Sequence, residues 1–301
     1  MKKLIAGPAS LLLGALLAMA QTPAPSQPPK SIAAATRDNP FVNSLGMKFV
    51  PVPGTNVLFS IWDTRVEDFQ KFVQDTGYDA TGAMVSLASD GFGPHGATWK
   101  DPGFKQGPDY PVVGVSWNDS TAFCAWLTKK EQTAALIGPN QEYRLPTDKE
   151  WSAAVGGGRY PWGDQWPPPA GAGNYAGREA KDANWPANFA TLEGYEDGFP
   201  RTSPVGSFAP NKYGLFDMGG NVAQWCVDWY RKRMNEQAVL DAYPSLKEDG
   251  GGETARVARG SAWNNDDPIF LLSSFRNYAT PDSRGDIYGF RCVLSPAATP
   301  P

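Results

Sequence analysis

Whatever chemistry this chain performs must be done almost without imidazole: His95, in Gly93-Pro94-His95-Gly96, is the one histidine among 301 residues. A single imidazole cannot supply the two-histidine, one-carboxylate ligand set of a non-haem iron centre, and any Ser-His-Asp triad would have to be built around it. His95 reads as a solvent-facing loop residue. Thiol chemistry has three candidates, Cys124, Cys226 and Cys292. Cys226, in Gln224-Trp225-Cys226-Val227-Asp228-Trp229, has no recognisable activating base and reads as a small buried hydrophobe rather than a nucleophile. Paired acids are the remaining option: Asp266 with Asp267, or Glu193 with Asp197, as the acid and base of a hydrolase. Adjacent loop acids are more often solvated or metal-bound.

The compartment bears on the thiols. Lys2 and Lys3, an apolar stretch from Leu11 to Leu17 and Ala18-Met19-Ala20 form the pattern of a cleaved signal peptide over residues 1–20. Pro8 and Gly14 interrupt the apolar run, which falls short of the ~20 residues a membrane span needs. No later segment approaches that length, so the mature chain is expected to have no membrane span and to be periplasmic or extracellular. Three cysteines in an exported chain suggest one disulfide and one spare thiol. Residues 21–37 are mostly Pro, Ala, Ser and Gln, too poor in large apolar groups to offset ordering entropy, and read as a tether. Residues 38–294 read as one folded unit and 295–301 as a flexible tail.

The elements that must position any site are short. A hydrophobic content of 41% suffices for a core, but 32 Gly, 28 Pro and 11 Trp favour turns held by large aromatic anchors over long regular elements. A net charge of -4 from 27 basic and 31 acidic residues offers no broad positive field, which argues against nucleic acid as a partner. Three helices are predicted from capping boxes: Thr64 with Glu67, Ser116 with Asp119, and Thr147 with Glu150. Behind them Val66, Phe69 and Val73, then Phe123, Trp126 and Leu127, then Trp151, Ala154 and Val155 fall on single helical faces. Strands are expected over 45–52, 222–229, 256–263 and 289–294. Between Gly156 and Pro210 regular structure is not expected, and bound metal is one way to order such a stretch.

Several segments, taken in order, resemble the formylglycine-generating-enzyme, or sulfatase-modifying-factor, family. They are Asn43-Ser-Leu-Gly-Met-Lys-Phe-Val-Pro-Val, Tyr110-Pro-Val-Val-Gly-Val-Ser-Trp-Asn-Asp, Tyr143-Arg-Leu-Pro-Thr-Asp-Lys-Glu-Trp and Tyr160-Pro-Trp-Gly. Pro210-Asn-Lys-Tyr-Gly-Leu-Phe-Asp-Met-Gly-Gly-Asn-Val, Arg259-Gly-Ser-Ala-Trp and Gly289-Phe-Arg-Cys-Val follow. The resemblance implies a single α+β domain of C-type-lectin-like fold, loop-rich and low in regular secondary structure. It also implies oxidation of a sulfatase cysteine to formylglycine with oxygen and copper, performed by two cysteines near the C-terminal end. Here Asn264 stands at the first of those positions and Pro268 or Ile269 near the second. Copper(I) is selected by soft thiolates, which neither an amide nor a proline replaces, so the oxidation and its copper are expected to be lost.

The resemblance carries further expectations. Cys124 and Cys292 match a bonded pair, whose long loop would contribute ~4 kcal/mol or more in the chain-entropy model. The family's second disulfide has no counterpart, with Ala154 or a neighbour on one side and Ser273 or Ser274 on the other. Two structural calcium sites carry over: Asn174 and Asp197 through side chains with Tyr175 and Phe199 through carbonyls, and Asp217 and Gln224 through side chains with Gly220 and Val222 through carbonyls. Trp263, Asn264, Asn265 and Asp266 would lie in the substrate groove, where aromatic faces and amides suit a peptide, protein or glycan. The leading expectation is a non-catalytic or repurposed member binding such a ligand; the alternative is an active oxidase with a divergent metal site.

Overall fold

The computed structural model describes residues 32–182, 184–231 and 254–296; the expected signal peptide, most of the tether and the last five residues lie outside them. The described residues include the end of the expected tether. Ile32–Ala34 form a 3-10 turn, Ile32 and Ala35 pack against the main core, and Arg37 donates to the Lys212 carbonyl at 3.2 Å. The folded unit therefore takes in residues 32–37, because two apolar side chains within the Ala-rich segment find partners.

In chain order the strands and helices are β1 (Phe41–Val42), β2 (Lys48–Pro51), β3 (Leu58–Ser60), α1 (Val66–Thr76), β4 (Ser86–Ala88), β5 (Gly91–Gly93) and α2 (Trp117–Thr133). They continue with β6 (Glu142–Arg144), α3 (Asp148–Val155), β7 (Ala223–Trp229), β8 (Arg256–Arg259), β9 (Arg276–Ala279), β10 (Tyr288–Gly289) and β11 (Val293–Ser295). One sheet has the order β1-β2-β3-β11-β6, a second β10-β7-β8-β9, and β4 and β5 form a separate pair. All pairings are antiparallel except β10 with β7.

The caps of α2 and α3 follow the sequence rule: the backbone N–H of Asp119 donates to Ser116 Oγ at 3.1 Å and that of Glu150 to Thr147 Oγ1 at 3.1 Å. The first helix differs by one residue. Arg65 is its N-cap, and its backbone N–H donates to Asp68 Oδ2 at 3.1 Å while its guanidinium grips both oxygens of the same carboxylate at 2.9 Å. Thr64 instead joins the backbone of Phe290 and Val112, which uses it as a bridge rather than a cap. Phe69, Phe123 and Leu127 are buried from the facing sides of α1 and α2, with Phe69 and Phe123 stacked 6.1 Å apart.

The segment expected as one strand over 289–294 is two. Its start, β10, belongs to the second sheet and its end, β11, to the first, and the chain crosses between them at Phe290-Arg291-Cys292. Arg291, fully buried, fills the crossing. Its Nη1 donates to the Ser60 carbonyl in β3 at 3.1 Å, its Nε to Gln224 Oε1 in β7 at 2.8 Å, and its Nη2 to the Phe216 and Asp217 carbonyls at 2.7 and 3.2 Å. The buried carboxylate of Asp63 lies 3.5 Å from Nη2. A buried guanidinium is tolerated where every face meets an acceptor. Arg291→Met should therefore strip four acceptor atoms of their common donor and Asp63 of its counter-charge, and lower unfolding free energy by ~3–5 kcal/mol. Urea denaturation read by tryptophan fluorescence checks this; a loss under 1 kcal/mol would show that the bonds contribute little.

Candidate functional site

β8 ends where Gly260 and Ser261 both take positive φ, 102° and 57°, turning the chain into the segment that carries Trp263 to Asp267. The expected strand over 256–263 stops at Arg259 for this reason. The turn closes on itself, the Ala262 N–H donating to Asn265 Oδ1 at 2.8 Å and the Asn265 N–H to the Ala262 carbonyl at 3.1 Å. It is then sewn to its surroundings through main chain: the Trp263 N–H to the Asn221 carbonyl at 3.0 Å and the Ala176 N–H to the Asn265 carbonyl at 3.1 Å.

Trp263 is not an open groove face. It is 1% exposed, its indole N–H donates to the Asp286 carbonyl at 2.9 Å, and its ring packs against Phe104 and Trp185. The Arg201 guanidinium lies over the ring at 4.6 Å. A large ring with its one donor satisfied anchors the turn from beneath. Asn265 spends its side-chain oxygen on the turn, and of the four expected groove residues Asn264 and Asp266 take no part in these bonds. Both are half-buried, and Asn264 Oδ1 is a buried acceptor with no hydrogen-bond partner. Burial raises the Asp266 carboxyl above its ordinary value, helped by Asp267. Glu193 is exposed, and the carboxylate that meets Asp197 directly is Glu179.

Asp197 belongs to the first of the two sets expected to bind calcium. Asn174 is fully buried, gives Nδ2 to the Arg201 carbonyl at 2.8 Å, and leaves Oδ1 without a partner. Asp197 accepts the backbone N–H of Tyr175 at 2.8 Å and of Phe199 at 2.9 Å. Glu179 Oε1 accepts the backbone N–H of Asp197 at 2.8 Å, and its Oε2 is buried without a partner. Burial first, then the adjacent Glu179, pushes the Asp197 carboxyl up to about 8. Two carboxylates and an orphaned amide oxygen form an all-oxygen donor set that fits a hard cation. Glu179 was missed by sequence reading, and only the fold brings it to a turn 18 residues away.

The second set is arranged differently. Gln224 Oε1 already accepts from Trp151 Nε1 and Arg291 Nε, both at 2.8 Å, and its Nε2 donates to the Asp217 carbonyl at 2.8 Å. With Trp151 and a buried guanidinium bonded to its oxygen, Gln224 has no lone pair left for a metal, so the residues of the second expected set do not fit calcium. Copper does not fit the residues at the turn, since none of Asn264, Pro268 or Ile269 offers a thiolate. Cys226 is fully buried and burial raises its thiol. Cys124 and Cys292, both buried, lie with their sulfurs 3.5 Å apart and are unbonded in this structure. His95 is exposed and its Nε2 lies 3.0 Å from Asp90.

These features define a class: a single, loop-rich α+β domain whose C-terminal turn is held against a carboxylate-bearing loop. The chain belongs to the sulfatase-modifying-factor family, whose enzyme 1-like domain matches residues 57–296. It is 35% identical over 214 residues to the formylglycine-generating enzyme of Thermomonospora curvata, covering 67% of this chain and 62% of that one. It is 33% identical over 215 residues to the inactive C-alpha-formylglycine-generating enzyme 2 of Bos taurus, covering 68% and 58%. The chain thus spans about three-fifths of the length of these relatives. The solved structure of PvdO from Pseudomonas aeruginosa superposes with a TM-score of 0.53 at 27% identity, over 79% of this chain and 80% of that one.

Beneath the turn, Asp286 is fully buried; its Oδ2 accepts the Leu87 N–H at 2.8 Å and its Oδ1 has no hydrogen-bond partner. Burial pushes its carboxyl up to about 7 against the partial offset of that bond and of Arg201. A raised folded-state value means that the native protein holds a proton the unfolded chain has released. The stabilisation is whole below the unfolded value of ~3.9 and is lost as pH rises towards 7, with a slope of at most ~1.4 kcal/mol per unit. Asp286→Asn should flatten this part of the stability–pH curve, measured by urea melts between pH 4 and 7. An unchanged slope would place the proton elsewhere.

Proposed function

We propose that this protein is an exported, non-catalytic or repurposed member of its family that binds a peptide, protein or glycan at the 261–267 turn. The observation that carries the reading is Asn264: an amide with a buried, unpartnered oxygen stands where the resemblance puts a metal-binding thiolate. A buried acceptor without a donor costs ~1–3 kcal/mol, and a ligand N–H or O–H would recover that. Asp266 beside it adds a second acceptor. That the family includes both an active enzyme and one named inactive, each about a third identical to this chain, is compatible with loss of the oxidation.

The test is incubation of the mature protein with a Cys-x-Pro-x-Arg peptide, copper, a thiol reductant and air, followed by mass spectrometry. The expected product is unmodified peptide. Conversion of the cysteine to an aldehyde would instead support the alternative, an oxidase with a divergent metal site. We further infer that Cys124 and Cys292 are joined in the oxidising compartment; denaturing alkylation of protein never exposed to reductant should then modify Cys226 alone, and three modified thiols would refute the bond.

Calcium at the first set is part of the same reading. Asn174, Asp197 and Glu179 side chains with the Tyr175 and Phe199 carbonyls would hold it, and its charge would satisfy the orphaned Asn174 and Glu179 oxygens. Its role would be to tie the 174–179 segment to the 195–199 turn. Calcium should raise the melting temperature of chelator-treated protein, by ~3 °C or more at saturation, and Asn174→Ala should abolish that rise. Equal melting curves with and without calcium would remove the ion from this account.

A further inference from the structure

A cleft of about 460 Å³ opens on the side of the fold between the end of α3, the 158–173 loop and the 208–219 segment. That volume lies in the ~300–1,000 Å³ range of small-molecule sites. Its wall is bare backbone over Gly156 to Gly158, Trp162 contributes an aromatic surface, Asp217 is the carboxylate and Lys212 the ammonium. None of the residues at the 261–267 turn lines it.

Most of its glycines have reasons internal to the fold. Gly156, Gly163 and Gly171 take positive φ, and a Cβ at Gly158 or Gly219 would strike the Tyr160 carbonyl or the Pro161 ring. Gly157 has neither reason: its φ is ordinary and a Cβ there would stand in open space. Gly157 and Gly158 line the cleft and make no hydrogen bond among the described residues, so their polar groups are uncommitted within the protein. Trp162 is half-buried and stacks on Tyr160 at 4.8 Å and 2°, which fixes its plane at low entropic cost. Asp217 is 7% exposed; Oδ2 accepts the Gly206 N–H at 2.8 Å, and among the described residues nothing donates to Oδ1.

We propose that this cleft binds a neutral saccharide, one or two pyranose rings seated against Trp162 with hydroxyls shared between Asp217 Oδ1 and the Gly157–Gly158 backbone. The pairing of one carboxylate with one ammonium gives no net charge to select an ion. A rigid aromatic surface fits the C–H face of a sugar ring, and free backbone donors and acceptors beside a carboxylate match vicinal hydroxyls, which donate and accept together. A purely apolar ligand would leave Asp217 Oδ1 and the glycine backbone desolvated without partners.

The inference does not rest on the turn at Asn264, and its test separates the two. The full mature chain is screened on an array of neutral and acidic oligosaccharides, and the best neutral binder is titrated by calorimetry and by saturation-transfer NMR. The expected result is saturable binding of a neutral glycan that Gly157→Val weakens at least tenfold with no change in melting temperature, while Asn264→Ala leaves it unchanged. Trp162→Phe, which keeps a stacking ring, should weaken it less than Gly157→Val. No neutral binder on the array, binding confined to acidic glycans, or undiminished binding by Gly157→Val would each overturn the proposal.

Discussion

The structure depends on one buried cation. Arg291 sits where the chain leaves the four-stranded sheet and enters the five-stranded one, and its guanidinium reaches an acceptor from each: Ser60 in β3 and Gln224 in β7. Short strands offer few ladder bonds, so two small sheets cannot fix their mutual orientation through main chain alone. A planar donor with five N–H groups in fixed directions can do so, because each bond sets an angle as well as a distance. The same group takes the Phe216 and Asp217 carbonyls and orients Gln224, which in turn receives the indole N–H of Trp151 from α3. The sheets, α3 and the 216–217 turn therefore share one charged centre.

A second ionic centre repeats the device nearby. Asp148, at the first residue of α3, is 1% exposed and is held by Arg259 of β8 and Arg276 of β9, with the Arg259 guanidinium 4.4 Å from the Trp151 ring. Carboxylate at a helix start is favoured by the helix dipole, and here it also receives two guanidinium groups from adjacent strands. Between these two centres the long segment from Gly156 to Pro210 needs little regular structure. Tyr160, Tyr175, Tyr195 and Leu271 form one buried cluster, and Ala176, Trp185 and Trp263 belong to another. Aromatic side chains supply the area and the directional ring contacts that strands would otherwise provide.

How much of this was legible in the sequence follows from the range of each interaction. Ser116 with Asp119 and Thr147 with Glu150 are local, and they cap the helices the pattern names. The first helix starts at Val66 rather than after a Thr64 cap because Thr64 is claimed by Phe290 and Val112, far along the chain. The fold class was legible through ordered motifs spread along the chain. Trp263 was assigned to a groove because an aromatic beside amides suits ligands; its Asp286 partner lies 23 residues on, and no local signal separates an anchoring indole from an exposed one. Glu179, Arg201 and Asp286 escaped notice for the same reason. Glu179 lies in a short 3-10 helix over Arg178–Asp182 and the other two outside the strands and helices, and only tertiary burial makes each of them matter.

The turn after β8 has a property that its chemistry conceals. The bonds that sew it to its neighbours, Trp263 to Asn221 and Ala176 to Asn265, run from backbone to backbone. Such bonds do not depend on the identity of the residue at position 264. The path of the chain can thus be inherited while the reactive atom it carries is exchanged, as a socket outlasts the tool fitted to it. In a lineage with this architecture, passage between thiolate and amide at that position is a matter of single codons, and descent alone is a poor guide to which tool a given member holds.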